Sequence, residues 1–552
     1  MLTEKYEDWN TYYHQLGHKN DLPKGDAFDG YLSFGTGGIR GLMGIGTNRI
    51  NVQIVRRVTM GLIRYLQKST DQATVVVSYD TRENSLDYAH AVVTLLATYG
   101  INVFCTPTPA PTPELSFATR YYHADAGIMI TASHNPREYN GYKIYNAEGC
   151  QLTPDEADKI ASEINRIQNE LSIFSLDLKS AQQTSFTHQW SSQVTEEYLN
   201  HMRSILRRPK VDLADGDQLK LVYTPLHGTG LHVMTHAFKM YGFANVNVVK
   251  AQTVMDGRFA TVKVPNPEYP ETFDMAVSLA KKCGADLALA TDPDADRLGV
   301  FVKQGDQYQS LDGNQLGAIF LEYLLTSADD TDISHKFIVK TIVTSDLIKR
   351  IADHYDIQCA ETLTGFKYIG DAIARLSKSD KKFLFGCEES FGYLFGDFVR
   401  DKDAIQAGLV IAEAALFYKQ QGLTLIDELE QIYQKYGRSF DKLIKLTLDE
   451  NVMNVDDLMT QFRNINWAGY NLNVNMTSNY QTGITCHGLS ETEIDLPKSN
   501  VYQVTFTDGS KITGRPSGTE PMCKFYVDAT SQQSYQTLCE SVQNLINRAG
   551  KN

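Results

Sequence analysis

Three stretches of this 552-residue chain carry side chains whose types suit chemistry better than packing. The first, "ITASHNPREYNGYK" (130–143), follows the apolar run "AGIMI". It delivers Ser133 and His134 to the carboxyl end of a strand, just before a turn at Pro136. A serine is a weak nucleophile until a neighbour activates it. There is no G-x-S-x-G elbow, so an esterase triad is not supported; the alternative is that Ser133 only satisfies the turn. The second, "ADLALATDPDADRLGVFV" (285–302), sets Asp292, Asp294 and Asp296 between two apolar strands. In an extended loop, alternate residues project to one side. Three carboxylates there repel unless a cation joins them, and hard oxygens suit Mg²⁺. Arg297 and Lys303 stand where an EF-hand needs Gly and Glu, so the loop is not an EF-hand; the alternative is a solvated acidic turn. The third, "GCEESFGYLFGDFVRDKDAI" (386–405), places Glu388, Glu389 and Ser390 after the strand "KFLF". Such groups can hydrogen-bond sugar hydroxyls, and Arg400 or Lys402 could meet a phosphate. An acidic loop with a nearby salt bridge would look the same.

Four further stretches are weaker. "GRPSGTEP" (514–521) offers an anion the backbone N–H groups and hydroxyls of Ser517, Gly518 and Thr519, with Arg515 as a bidentate donor. It also reads as a plain turn set by Pro516 and Gly518. "FGTGGIRG" (34–41) puts Arg40 after a glycine cluster. "TLTGFK" (362–367) holds Thr364, Gly365 and Lys367. "TPLHGTG" (224–230) holds His227, which reads as structural.

These residues need a frame that repeats strand, loop and helix. "ATVVVSYD" (73–80), a helix over 85–100 and "INVFCTP" (101–107) form a β-α-β unit. The rhythm recurs from "KLVYTPLHGTG" (220–230) to "NVNVV" (245–249), and from "KFIVKTIVTS" (336–345) to "IQCAETL" (357–363). It implies parallel sheets flanked by helices, with ligands beyond the carboxyl ends of the strands. "TLIDELEQIYQKYG" (424–437) is a further amphipathic helix. From about 445 the composition shifts to Asn, Thr and Asp with short alternating strands, as in a smaller α+β domain. Boundaries are expected near 205, 320 and 445. Hydrophobic residues are 42% and charged residues 21%, as in globular proteins, and the net charge is −14. An acidic surface repels nucleic acid and anionic lipid, so neither is an expected partner. The eight cysteines form no C-x-x-C pair and are too sparse for a disulfide scaffold. No secretory h-region and no membrane-length apolar run is visible, so a cytoplasmic location is expected.

Taken in order, "TASHNP", "DPDADR", "GCEES" and "RPSGTEP" resemble the phosphoserine, metal, sugar and phosphate loops of the α-D-phosphohexomutase family. The resemblance covers nearly the whole chain. The "EES" form with a downstream "RDKD" is similar to the bacterial phosphoglucomutase branch, which is related to phosphopentomutases. The G-E-x-S-G-H form of the phosphomannomutase/phosphoglucomutase branch is absent. The resemblance implies an α/β fold of four domains. Three are similar α/β units: 1–205 with the phosphoserine loop, 206–320 with the metal loop and 321–445 with the sugar loop. The fourth, 446–552, is an α+β phosphate-binding lid.

It also implies an isomerase of sugar metabolism. Ser133 would carry a phosphoryl group and, with Asp292, Asp294 and Asp296, hold Mg²⁺. Arg40 and Arg297 would stabilise the transferring group, and His134 would orient it. Lys143 and Lys402 would move protons, on the expectation that nearby arginines lower a lysine pKa. Thr364, Gly365, Lys367, Glu388, Ser390 and Arg400 would bind substrate. Arg515, Ser517, Gly518 and Thr519 would hold the phosphate that is not reacting. Glucose 1,6-bisphosphate would be intermediate and activator, sugar phosphates the ligands, and the chain a monomer or small homo-oligomer. Glucose is the expected sugar, with mannose or pentose phosphates as alternatives. A sugar-phosphate phosphatase and a non-catalytic sugar-phosphate sensor are the rival classes.

Overall fold

The computed structural model describes residues 2–22, 25–35, 37–207, 213–327, 333, 335–448, 454–517 and 522–549. The first six strands are β1 (Gly38–Leu42), β2 (Thr74–Tyr79), β3 (Asn102–Cys105), β4 (Ala126–Ile130), β5 (Tyr139–Asn146) and β6 (Thr187–Gln189). They form one sheet in the order β1-β5-β4-β2-β3-β6. The strands β4, β2, β3 and β6 run parallel, and β5 and β1 add antiparallel at one edge. "AGIMI" is wholly buried in β4, as an interior parallel strand must be. Helices cover this sheet because their ends are satisfied locally. Asn51 accepts from the Ile54 N–H to start Val52–Leu66, and Thr153 and Glu156 form a capping box ahead of Pro154–Asn165. The N-terminal helix Leu2–Gln15 is pinned by Trp9, whose indole N–H donates to Glu170 (2.7 Å).

A second sheet repeats this plan. Its strands are β7 (Leu221–Thr224), β8 (Val246–Val248), β9 (Leu287–Thr291), β10 (Leu298–Gln304) and β11 (Gln307–Leu311), in the order β11-β10-β9-β7-β8. Here too a parallel set (β8, β7, β9) continues through a turn into antiparallel β10. Farther along, β12 (Lys336–Thr341) and β13 (Gln358–Thr362) pair in parallel, and β14 (Lys382–Glu388) pairs antiparallel with β15 (Gly392–Leu394). The strand expected over 336–345 ends at Thr341. The Thr341 and Thr344 hydroxyls bond each other (2.9 Å) and local backbone N–H groups, and Ser345 caps the next helix. Side chains thus take over from the ladder.

The last strands are β16 (Phe440–Thr447), β17 (Val474–Asn479), β18 (Ile484–His487), β19 (Ser490–Glu493), β20 (Tyr502–Phe506), β21 (Lys511–Pro516) and β22 (Met522–Ala529). They form an antiparallel sheet ordered β16-β22-β21-β20-β17-β18-β19, backed by the helix Gln532–Ala549. The chain divides into two compact units, Met1–Gly313 with Phe366–Leu425, and Asn314–Gly365 with Ile426–Asn552. Among the described residues no helix is long and apolar enough to cross a membrane.

Candidate active site

Three turns of one design lie in the first unit. Each joins a strand to an antiparallel partner: β4 to β5, β9 to β10, and β14 to β15. Each contains one non-glycine residue in the left-handed region, at φ 51° for Ser133, 51° for Ala295 and 65° for Phe391. That conformation costs an L-residue about 1 kcal/mol, so the surroundings must impose it.

Around Ser133 the imposition is visible. The Thr131 hydroxyl donates to buried Asp80 (2.7 Å) and accepts from the Ser133 N–H (2.7 Å). Arg82 is 3% exposed and ion-pairs with Asp80 (3.2 Å). Its guanidinium donates to the carbonyls of Ser133, Asn135, Pro136 and Tyr139. Both ends of the turn are therefore fixed, and the Ser133 hydroxyl is left for other partners. It donates to Asp292 (2.8 Å) and lies 3.2 Å from His134 Nδ1. Burial, with Arg297 and Arg40 nearby, holds the His134 pKa well below the ordinary histidine value.

The acidic loop converges for a reason other than the expected one. It is a turn rather than an extended segment, and Ala295 at positive φ folds Asp292, Asp294 and Asp296 inward. Each has an oxygen within 4.8 Å of the others, and all three are at most 1% exposed. The backbone is clamped from outside: Thr112 N–H donates to the Asp294 carbonyl (2.9 Å), Thr229 N–H to Pro293 (2.8 Å) and Ala404 N–H to Ala295 (3.3 Å). "TPLHGTG" belongs to this clamp. A side chain at Gly228 would overlap the Pro293 backbone, and His227 is spent on the Val254 carbonyl (2.8 Å) and the Thr261 hydroxyl (2.9 Å).

Two lysines from distant segments reach the triad. Lys143 on β5 meets Asp294 (2.9 Å) and Asp296 (3.6 Å), and Lys402 meets Asp296 (3.1 Å) and Asp401 (3.2 Å). The Thr112 hydroxyl also donates to Asp294 (2.8 Å). Burial, then repulsion from Asp296 and Asp294, raises the Asp292 pKa well above the carboxylate range. At Asp294 burial acts the same way, but Lys143 outweighs it and the pKa falls. Buried Oδ1 atoms of Asp294 and Asp296 take no hydrogen bond. Hard, buried, unsatisfied oxygens converging on one point fit a divalent cation.

The expectation that arginines lower a lysine pKa fails at Lys402. Burial opposes its charge, but the carboxylates of Asp296, Asp401 and Glu388 dominate and raise it. Glu388 itself is raised by burial, in spite of Lys402 and Arg297. The β14–β15 turn docks on the acidic loop through Leu298 N–H to the Phe391 carbonyl (3.2 Å), and Arg297 bridges to Gly392. This brings Glu388 and half-buried Ser390 to the same region. Arg297 pairs with Glu268, a partner the motifs did not suggest. Arg40 donates to Asn135 (3.0 Å) beside Ser133. Close packing requires glycine at position 38, where a side chain would run into the Tyr142 carbonyl. Arg400 is 4% exposed, and its guanidinium meets Asp397. Lys367 is buried with its ammonium 4.7 Å over the Tyr368 ring, and Thr364 and Gly365 form the bend before its helix.

In the second unit, Arg515 lies half-buried on β21 opposite Lys524, and Ser517 N–H closes onto the Met522 carbonyl (2.7 Å). Gly518 and Thr519 lie outside the described residues.

Comparison with known proteins agrees with this layout. The four models of phosphoglucomutase/phosphomannomutase, three "alpha/beta/alpha" domains and a "C-terminal domain", match residues 31–171, 196–305, 312–436 and 443–545 in order. The chain belongs to the phosphoglucomutase/phosphomannomutase family. It has that family's four-domain phosphohexomutase architecture. It is 39% identical over 522 residues to the phosphoglucomutase of Staphylococcus aureus (strain MSSA476), covering 93% of this chain and 92% of that one. A solved structure from Thermus thermophilus superposes with a TM-score of 0.70 at 21% identity, covering 94% of this chain and 99% of the other. The Paramecium phosphoprotein pp63/parafusin, in its open form, also gives 0.70, at 17% identity and 94% of each chain. At these identities the two structures speak for the fold.

Asp80, Thr131, Arg82, Thr112 and Glu268 were not found from sequence. Thr131 and Asp80 lie within quoted stretches but carried no role there, and Arg82, Thr112 and Glu268 lie outside the quoted stretches. Only "YDTREN", with three charges at the end of a buried strand, offered a signal for two of them.

Proposed function

We propose that the chain is a phosphoglucomutase, interconverting glucose 1-phosphate and glucose 6-phosphate through a phosphoryl group carried on Ser133. One observation carries this reading: the hydroxyl of a strained, rigidly seated serine lies 2.8 Å from an acidic triad that two lysines also reach. The 39% identity to a protein named phosphoglucomutase supports glucose as the sugar.

In this reading Asp292, Asp294, Asp296 and the Ser133 side chain hold Mg²⁺. When bound, the ion neutralises charge on a transferring phosphoryl group. Phosphoserine 133 donates its phosphoryl group to the free hydroxyl of the sugar phosphate. The resulting glucose 1,6-bisphosphate reorients and returns the other phosphoryl group to Ser133. Arg40 and Arg297 stabilise the group in flight. His134, kept neutral, orients it through Nδ1. Lys143 and Lys402 serve proton transfer: Lys402 enters as the ammonium that its carboxylate neighbours favour and gives a proton to the leaving oxygen, and Lys143 takes one from the attacking oxygen. Glu388 and Ser390 hold sugar hydroxyls, with Thr364, Gly365 and Lys367 adding donors. Arg515, Ser517, Gly518 and Thr519 hold the phosphate that is not reacting. Glucose 1,6-bisphosphate also restores phosphoserine, which makes it the activator.

Turnover on a panel of hexose and pentose 1-phosphates, with free phosphate measured in parallel, tests the reading. Isomer formation fastest with glucose 1-phosphate is the expected result. Phosphate release without isomer would make the chain a phosphatase, and neither product would leave a sensor.

A further inference from the structure

Two lysines must act at a fixed separation if one site is to serve both half-reactions, yet they come from residues 143 and 402. Lys143 is held by its strand. Lys402 sits on a loop ahead of the helix Ala404–Lys419 and shares Asp296 with Lys143. Asp296 is in the metal-binding set, so a second anchor for Lys402 is needed once a cation takes those oxygens. The neighbouring residues contain one. Asp401, 2% exposed, accepts from the Lys402 N–H (2.7 Å) and the Lys402 ammonium (3.2 Å) through Oδ1. Its other oxygen accepts from the Tyr145 hydroxyl (2.7 Å). Tyr145 is fully buried on β5, two residues beyond Lys143, so both side chains project from the same face of that strand. Gly392 packs against the Lys402 stem: a methyl group there would overlap the Lys402 Cγ and Cδ atoms and lie 3.0 Å from Glu388 Cγ.

We infer that Tyr145 and Asp401 are positioning residues that tie Lys402 to the strand bearing Lys143, and so set the spacing of the two proton-transfer groups. This rests on the mutase reading above. The tie runs from β5 through Tyr145 Oη, Asp401 Oδ2 and Asp401 Oδ1 to Lys402, and it does not involve Asp292, Asp294 or Asp296.

The test uses the full chain and the variants Tyr145→Phe, Asp401→Ala, Asp401→Asn and Gly392→Ala, assayed with glucose 1-phosphate under saturating Mg²⁺ and glucose 1,6-bisphosphate. Tyr145→Phe should lower kcat about three- to ten-fold, because it frees one oxygen of Asp401 while the other stays on Lys402, with KM within about two-fold. Asp401→Ala should lower kcat by roughly ten- to a hundred-fold. Asp401→Asn should recover most of that loss, because its amide can still accept from Lys402 and donate to Tyr145. Gly392→Ala should lower kcat by displacing the Lys402 stem. A second readout is the rate at which acetic anhydride labels Lys402, measured by mass spectrometry against Lys143. It should rise in Tyr145→Phe and Asp401→Ala. Unchanged kcat in every variant, with only the melting temperature lowered, would overturn the inference and leave the tie purely structural. If the wild type turns over no sugar phosphate, the mutase reading falls. The tie is then judged on labelling alone: faster labelling upholds it and an unchanged rate overturns it.

Discussion

Between β4 and β5 the chain turns through Ser133 at φ 51°, and between β9 and β10 it turns through Ala295 at the same φ. In the first turn the strained residue is itself the proposed phosphoryl carrier. The burden of holding it falls on side chains: Thr131 on its N–H, and Arg82 on its carbonyl and three others. In the second turn the strained residue is a bystander. The carboxylates on either side do the converging, and backbone N–H groups from Thr112, Thr229 and Ala404 hold the loop. The difference follows from the tasks. A nucleophile must present one oxygen at one angle, which a rigid guanidinium fork can enforce. A cation site needs several oxygens at one distance, and side chains can make that final adjustment if the backbone is fixed.

The comparison breaks most sharply at Ser133. Ser133→Ala should lose at least about a thousand-fold in kcat while keeping the fold, as removal of a nucleophile does elsewhere. Intact mass after incubation with glucose 1,6-bisphosphate should show one phosphate on the wild type at Ser133 and none on the variant. Full activity in the variant would remove the serine from the mechanism.

The acidic turn comes next. Chelation should abolish turnover and Mg²⁺ restore it, and Asp294→Asn should cost roughly a hundred-fold, several kcal/mol of lost charge stabilisation. If each Asp→Asn variant keeps the wild-type metal dependence, the loop is only an acidic turn.

Arg82→Lys separates the two kinds of support. It keeps the charge near Asp80 but cannot bridge four carbonyls, so kcat should fall by about ten- to a hundred-fold through misplacement of Ser133. Mg²⁺ affinity, measured by calorimetry, should move little by comparison. Equal losses in both would mean the turns are one cooperative unit.

Arg515→Ala lies outside both turns and serves as a contrast. It should raise KM for both isomers and lower kcat/KM roughly ten-fold or somewhat more, the size of a charge-assisted contact, and it should release more free bisphosphate per turnover. Unchanged KM and release would make "GRPSGTEP" a turn and nothing else.

The smallest effect on turnover is expected at Glu114, on the helix that brings Thr112 to Asp294. Burial, with Asp403 adding and the Thr195 hydroxyl opposing, pushes its pKa up to about 7. A carboxyl raised in the folded state binds its proton more tightly there than when unfolded. Its contribution is thus fully present below about pH 4.5 and is lost as pH rises towards 7. Glu114→Gln should flatten that decline in melting temperature and leave kcat near wild type. A wild-type slope in the variant would place the titration elsewhere.

The alternating strands and helices, the four motif loops and the residues Ser133, Asp292, Asp294, Asp296, Lys143, Lys402 and Glu388 were all legible in the chain. Their residue types and local spacing depend only on near neighbours. The geometry was less so. The acidic loop was read as extended and is a turn, because a left-handed alanine leaves no mark on an apolar pattern. The strand over 336–345 was read too long, because threonine hydroxyls that cap a turn look like strand formers. The contact of Arg400 with Asp397 was not foreseen, since motif proximity says nothing of side-chain direction.

The order of residues along the chain sets which groups are present and at which strand ends they stand. Which of them meet is a matter of how the sheets and loops pack. Lys143 reaches Asp294 across 151 positions and Tyr145 reaches Asp401 across 256. The charge balance at Lys402, and with it the direction of its pKa, follows from carboxylates gathered from three separate segments. Long-range pairing is fixed by the packing of sheets and the burial of charge, and those act between segments that the sequence keeps far apart.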